Sequence, residues 1–160
     1  ISDGDDLMDS RAQVSLEYLL IFLISLSILS MFSIPLIEDT VSDVNDIKKS
    51  MDIKNTLIEL SNNVNLVHAS GYGSKKTISM NIPCNMNIYY KTKNSRHYLY
   101  SYCVLSDNTK KEIEVEIPCR VSFNNKPTYY YTSLKKQWYY NIEVKWIEYN
   151  DDYFMNIYFR

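Results

Sequence analysis

The sequence predicts an α+β protein: a long N-terminal helix packed on a mostly antiparallel β-sheet head. Three observations point to it. Residues Leu19 to Ile37 form an uncharged apolar run, apolar residues then recur every three or four positions to about His68, and beyond Thr77 β-branched and aromatic residues alternate with polar ones. With 160 residues, a chain that gives one segment to a membrane keeps about 120 for a head, close to the commonest domain size. A net charge of -2 supplies no broad basic field, so nucleic acid is not an expected partner. Only 3 Gly and 4 Pro exclude a collagen-like or low-complexity chain.

The apolar run sets the topology. Its polar members are serines, whose hydroxyls can bond back to helix carbonyls, and its length corresponds to roughly 28 Å of helix, close to the hydrocarbon thickness of a bilayer. A secretory signal fits poorly, because the run exceeds the usual apolar core and no small-residue cleavage site follows it. A helix apolar all round also finds too little partner surface in so small a protein to be a buried core helix. Arg11 is the basic residue ahead of the run, whereas Glu38, Asp39, Asp43 and Asp46 follow it before any lysine. The bias places the N-terminus in the cytoplasm and the head outside.

The leader in front of the run carries a more specific signal. Twelve hydrophilic residues precede "QVSLEYLL", so the removable part stands before the apolar core rather than behind it. Gln13, Ser15, Glu17 and Tyr18, followed by Leu19 and Leu20, resemble the class III signal of archaeal type IV prepilins. Two features depart from that pattern: Ala12 stands where Gly is commoner, and the leader is acidic ("DGDDLMD") where lysines are usual. The resemblance implies cleavage between Ala12 and Gln13, beside Arg11, by a membrane prepilin peptidase. Assembly with homologous pilin subunits into an extracellular filament then follows. It also implies the organisation 1–12 leader, 13–37 transmembrane and filament-core helix, 38–70 amphipathic continuation and 71–160 β-rich head. Glu17 is costly at the edge of an apolar run unless paired. The resemblance names its partner as the new α-ammonium of Gln13 in a neighbouring subunit, with Leu19 and Leu20 among the apolar assembly contacts.

Beyond Pro35, which is expected to kink the helix, Ile37, Val41, Val44, Ile47 and Met51 keep the helical spacing. Ile53, Leu57, Leu60, Val64 and Val67 extend it. "SGYG" supplies Gly71 and Gly73 to end the helix. The apolar face in this second half of the helix is expected to meet a sheet formed by residues 77–160.

The C-terminal half reads as roughly four to seven strands. "TISMNIPCNMNIYY" and "EIEVEIPCRVSF" form a weak strand-turn-strand repeat, with Pro83 and Pro118 ending their ladders. Residues 98–117 and 140–159 read as hairpins turning at "SDNTKK" and "NDD". If "KTKNSR" turns at Lys93 and Asn94, Tyr90 faces His97, Ile88 faces Leu99, and Cys84 faces Cys103 in bridging position, leaving Cys119 spare. The matching I-P-C contexts allow Cys84 and Cys119 to pair instead. Of 15 tyrosines, 13 lie at or after Tyr89, as β-propensity expects.

Other patterns carry little chemistry. "KKQWYYNIEVKW" interleaves lysines with aromatic residues as a single-stranded nucleic-acid platform does, yet its neighbouring acids and the net charge favour an ordinary strand. His68, His97 and the three cysteines lack metal-ligand spacing, so no metal and no cofactor are expected. "GYG" opens no helix and does not read as a phosphate loop. No nucleophile stands with a base, so the chain is not expected to be an enzyme. The function that emerges is a structural subunit of an adhesive type IV pilus-like filament. The alternatives are a minor pilin that primes or caps a filament, or an extracellular binding protein on a single-span anchor.

Overall fold

The computed structural model describes the backbone from Asp3 and the side chains from Ser15 to Arg160. One α-helix, α1 (Asp3–Ala69), precedes eight strands. These are β1 (Lys75–Ile82), β2 (Met86–Lys93), β3 (Arg96–Val104), β4 (Lys110–Ile117), β5 (Val121–Phe123), β6 (Tyr131–Leu134), β7 (Gln137–Tyr149) and β8 (Asp152–Phe159). The chain divides into two compact units, Ile1–Val44 and Asn45–Arg160.

In the first unit the apolar residues point outward. Leu16 to Ile37 are between half and three-quarters exposed at most positions among the described residues. Ser25, Ser27 and Ser30 donate to the carbonyls of Ile21, Leu23 and Leu26 at 2.8, 2.8 and 2.9 Å. Those bonds hide the serine hydroxyls inside the helix, as an apolar surrounding requires. The helix assignment continues through Pro35. The described part of α1 is long and apolar enough to cross a membrane.

In the second unit two four-stranded sheets, ordered β1-β7-β8-β5 and β4-β3-β2-β6, share one core with the helix. Every pairing is antiparallel except β5 with β8. Ile53, Leu57, Leu60, Val64 and Val67 are sealed against the sheets, each worth roughly 1.5–3 kcal/mol of apolar burial. The apolar face is narrower than its periodicity suggests. Val41, Val44, Ile47 and Met51 stay more than half exposed, because apolar burial of the helix begins at Ile53, and ahead of it the helix meets the head through Asp46 and Lys49. The helix is tied to both sheets. Ser61 Oγ donates to the Glu116 carbonyl at 2.9 Å, and the Trp146 indole donates to the Val67 carbonyl at 3.4 Å. It stops where expected, with the Gly71 N–H on the His68 carbonyl at 3.1 Å and φ of 84° and 85° at Gly71 and Gly73.

Two expectations about the strands are corrected. The I-P-C segments are not turns inside a ladder. After Ile82 the chain leaves the first sheet, and β2 lies in the second; after Ile117 it leaves the second, and β5 lies in the first. Proline ends each ladder because it has no N–H to donate, and the next strand, freed from the old register, pairs elsewhere. The strand count also exceeds the expected range, since β5 and β6, at 3 and 4 residues, are too short to stand out in the sequence.

The β2-β3 register is displaced as well. Tyr90 lies opposite Leu99, Thr92 opposite His97 and Lys93 opposite Arg96, so the loop is Asn94–Ser95 rather than Lys93–Asn94. Both loop residues have positive φ, 52° and 60°, the signature of a type I′ turn, whose twist matches that of the strands. Asparagine tolerates the left-handed conformation better than lysine does, and this pulls the turn one residue onward. Asn124–Asn125 and Asn150–Asp151 repeat the device. The displaced register removes the argument for Cys84 opposite Cys103, and all three cysteines are free thiols.

Candidate functional site

Two regions carry candidate sites, one in each unit. In the N-terminal unit, Arg11, Ala12 and Gln13 lie outside the residues whose side chains are described. Ser15, Glu17, Tyr18, Leu19 and Leu20 are described, and all are exposed on the helix. Glu17 stands among Leu16, Tyr18 and Leu20, exposed by 65%, 70% and 51%. A carboxylate at the mouth of so apolar a surface is costly unless it meets water or a cation.

The head carries a tyrosine-lined face on the outside of the second sheet. Strand pairing aligns Tyr131 with Tyr89 and Tyr89 with Tyr100. Their rings stack at 6.0 and 5.2 Å, and Tyr102 meets Tyr89 edge-on at 6.0 Å. Lys91 lies 4.7 Å from the Tyr100 ring centre and forms ion pairs with Glu112 and, at 2.6 Å, with Glu114. Partial desolvation opposes the Lys91 charge, but the bonds to Glu112 and Glu114 outweigh it and raise its pKa. The Lys91 hydrogen bond holds Glu114 below the usual carboxylate range, against a smaller desolvation effect.

Beside this face lies a groove of about 480 Å³ lined by Lys49, Asn85, Asn87, Tyr89, Tyr102, Lys110, Ser133 and Lys135 among others. Its walls come from the helix, the first crossing between sheets, and β2, β3, β4 and β6. Lys49 Nζ donates to the Val104 carbonyl at 3.0 Å, which holds the helix against the end of β3. Asn85 Oδ1 accepts the Lys136 N–H at 2.7 Å and so fixes the segment that carries Lys135. The lining contains no carboxylate. Two acids outside the lining have partners: Glu112 pairs with Lys91, and Asp46 accepts from the Ser106 N–H and hydroxyl at 2.8 and 3.0 Å.

The remaining sequence candidates are kept apart. His97 Nδ1 is 2.7 Å from Tyr90 Oη, whereas His68 packs on Trp146 with ring centres 5.6 Å apart. Burial pushes the Cys119 thiol up to about 12, and raises Cys103 as well. For Cys84, burial and the nearby Asp52 act in the same direction. Within "KKQWYYNIEVKW", residues from Gln137 form β7, yet Trp138 and Tyr139 remain 77% and 71% exposed. Sequence reading missed the groove. Its only local trace is the alternation of Tyr98, Tyr100 and Tyr102 along β3, which places three rings on one sheet face.

Neither a curated protein nor a solved structure matches the chain. A family model does match its N-terminal part, covering the end of the leader and the apolar run and stopping before the head. Such a signal is processed by prepilin peptidase and leads in general to pilin-type assembly, and together with the apolar helix it fits membrane anchoring before processing. Residues 10–36 match the family described as Class III signal peptide, and the chain thus carries the signal of a type IV pilin-like protein.

Proposed function

We propose that this chain is a structural subunit, not an enzyme, of an archaeal type IV pilus-like surface filament that serves adhesion. The observation that carries the reading is the class III signal at residues 10–36, continuous with a helix whose apolar side chains from Leu16 to Ile37 are exposed among the described residues. Before processing, that surface sits in lipid with the N-terminus in the cytoplasm. After prepilin peptidase cuts between Ala12 and Gln13, the same surface packs against other subunits and the head faces outward. Burial of the apolar helix supplies most of the association energy. Glu17, paired with the Gln13 ammonium of a neighbour, fixes the axial register, because an unpaired carboxylate in a dry filament core is costly.

Mass spectrometry of surface filaments from the native cells tests this reading. The expected result is an abundant mature chain whose first residue is Gln13. A chain missing from the filaments, or one that keeps residues 1–12 within them, refutes it.

A further inference from the structure

We infer that the groove beside the tyrosine face is a binding site for an acidic, uronate-bearing polysaccharide. The inference rests on the reading that the head is extracellular, and it names the class of surface to which the filament attaches. Charge complementarity carries it. In a chain of net charge -2, three lysines, Lys49, Lys110 and Lys135, converge on one concavity that no carboxylate lines. Lys110 and Lys135 form no ion pair among the described residues. Beyond the lining, Glu112 and Glu114 share Lys91, and Asp46 accepts from the Ser106 N–H and hydroxyl.

The rest of the lining sets polar groups that suit sugar hydroxyls beside the apolar Met86, Val104 and Leu134. Asn87, Ser133 and Tyr102 supply amide and hydroxyl donors and acceptors, and the volume of about 480 Å³ falls within the range of small-ligand sites. Nucleic acid fits less well. A base platform needs a free aromatic face, but Tyr89 is stacked by Tyr100 and by Tyr131. What the tyrosine ladder offers is hydroxyl edges. A ligand that alternates carboxylates with hydroxyls engages the lysines and these edges together.

Calorimetric titration of the full chain in detergent micelles with tetragalacturonate tests the assignment. Binding is expected, weakened about tenfold or more by Lys110→Gln combined with Lys135→Gln, and weakened comparably when the methyl-esterified, neutral tetramer replaces the acid. Lys54→Gln, the same charge change on an exposed helix position outside the groove, is expected to leave binding unchanged. Three results overturn the inference: no binding of tetragalacturonate, a double variant that binds as well as the parent, or equally tight binding of an oligothymidylate or of anionic phospholipid vesicles abolished by the same double variant. The two lysines are exposed, so the double variant should still fold and assemble into filaments. Intact filaments that bind no acidic sugar would thus sink this inference while leaving the filament reading in place.

Discussion

Leu57 and Ile47 lie on the same helix and are both aliphatic, yet their truncation should have opposite consequences. Leu57 is fully buried among the sheets, and Leu57→Ala removes its contacts and leaves a cavity. Substitutions of this kind cost about 2–5 kcal/mol. Ile47 is 60% exposed, so Ile47→Ala should move head stability by under about 0.5 kcal/mol, with alanine's better helix propensity offsetting any loss. Trp146 is a built-in reporter, because its indole donates to the Val67 carbonyl at 3.4 Å and its ring packs on His68. With a loss of roughly 3 kcal/mol and an m-value of about 1.5 kcal/mol/M, the urea midpoint of Leu57→Ala should fall by about 2 M, followed by tryptophan fluorescence of the full chain in detergent. The Ile47→Ala midpoint should stay with the parent. Equal shifts in the two variants, or an unmoved Leu57→Ala midpoint, would refute the view that apolar burial of the helix begins at Ile53. Ile47→Ala serves the filament reading in the complementary way, since its exposed side chain is available only to other molecules.

Further measurements bear on separate parts of the molecule. Glu17→Gln keeps the shape and removes the charge, so processed subunits should accumulate in the membrane while filament number falls about tenfold or more; normal filaments from processed Glu17→Gln subunits would exclude the register role. In denaturant the full chain should titrate three thiols, and in the native state at about pH 8 Cys103, which is fully buried, and Cys119, whose thiol burial pushes up to about 12, should both react far more slowly than in denaturant; peptide mapping that joins any two cysteines defeats this. Glu114 has a lowered folded pKa, set first by its bond from Lys91, so its contribution is present above the ordinary carboxylate range and is lost as pH falls through the depressed value. Between about pH 6 and pH 3 the parent should therefore lose more stability than Lys91→Met, measured by urea midpoints. Ser95→Gly, at a φ of 60°, should stabilise the β2-β3 hairpin by roughly 0.5 kcal/mol, as thermal melts of the head would record.

The parts of this molecule that the sequence disclosed are those built from one period. The helix from Ile53 to Val67, its glycine stop, and the two hairpins at residues 98–117 and 140–159 each follow from residues close together along the chain. The parts it concealed depend on where a segment goes after its pattern ends. Tripeptides Ile82-Pro83-Cys84 and Ile117-Pro118-Cys119 look like turns within a ladder, and proline does end both ladders there. Proline, however, specifies only that pairing stops; which sheet receives the next strand is decided by core packing, where β1 and β4 lie in different sheets and each hands the chain to the other. The groove is a product of that exchange. Asn85 follows the first I-P-C and holds Lys136 by its N–H, and Lys136 lies in another crossing, between β6 of the second sheet and β7 of the first. That bond ties two sheet crossings 51 residues apart and positions Lys135, while the helix brings Lys49 and the β3-β4 hairpin brings Lys110. Each lysine alone reads as ordinary solvated charge. Their convergence arises because the chain changes sheets where it does, and that is a property of the assembled core which no window of the sequence contains.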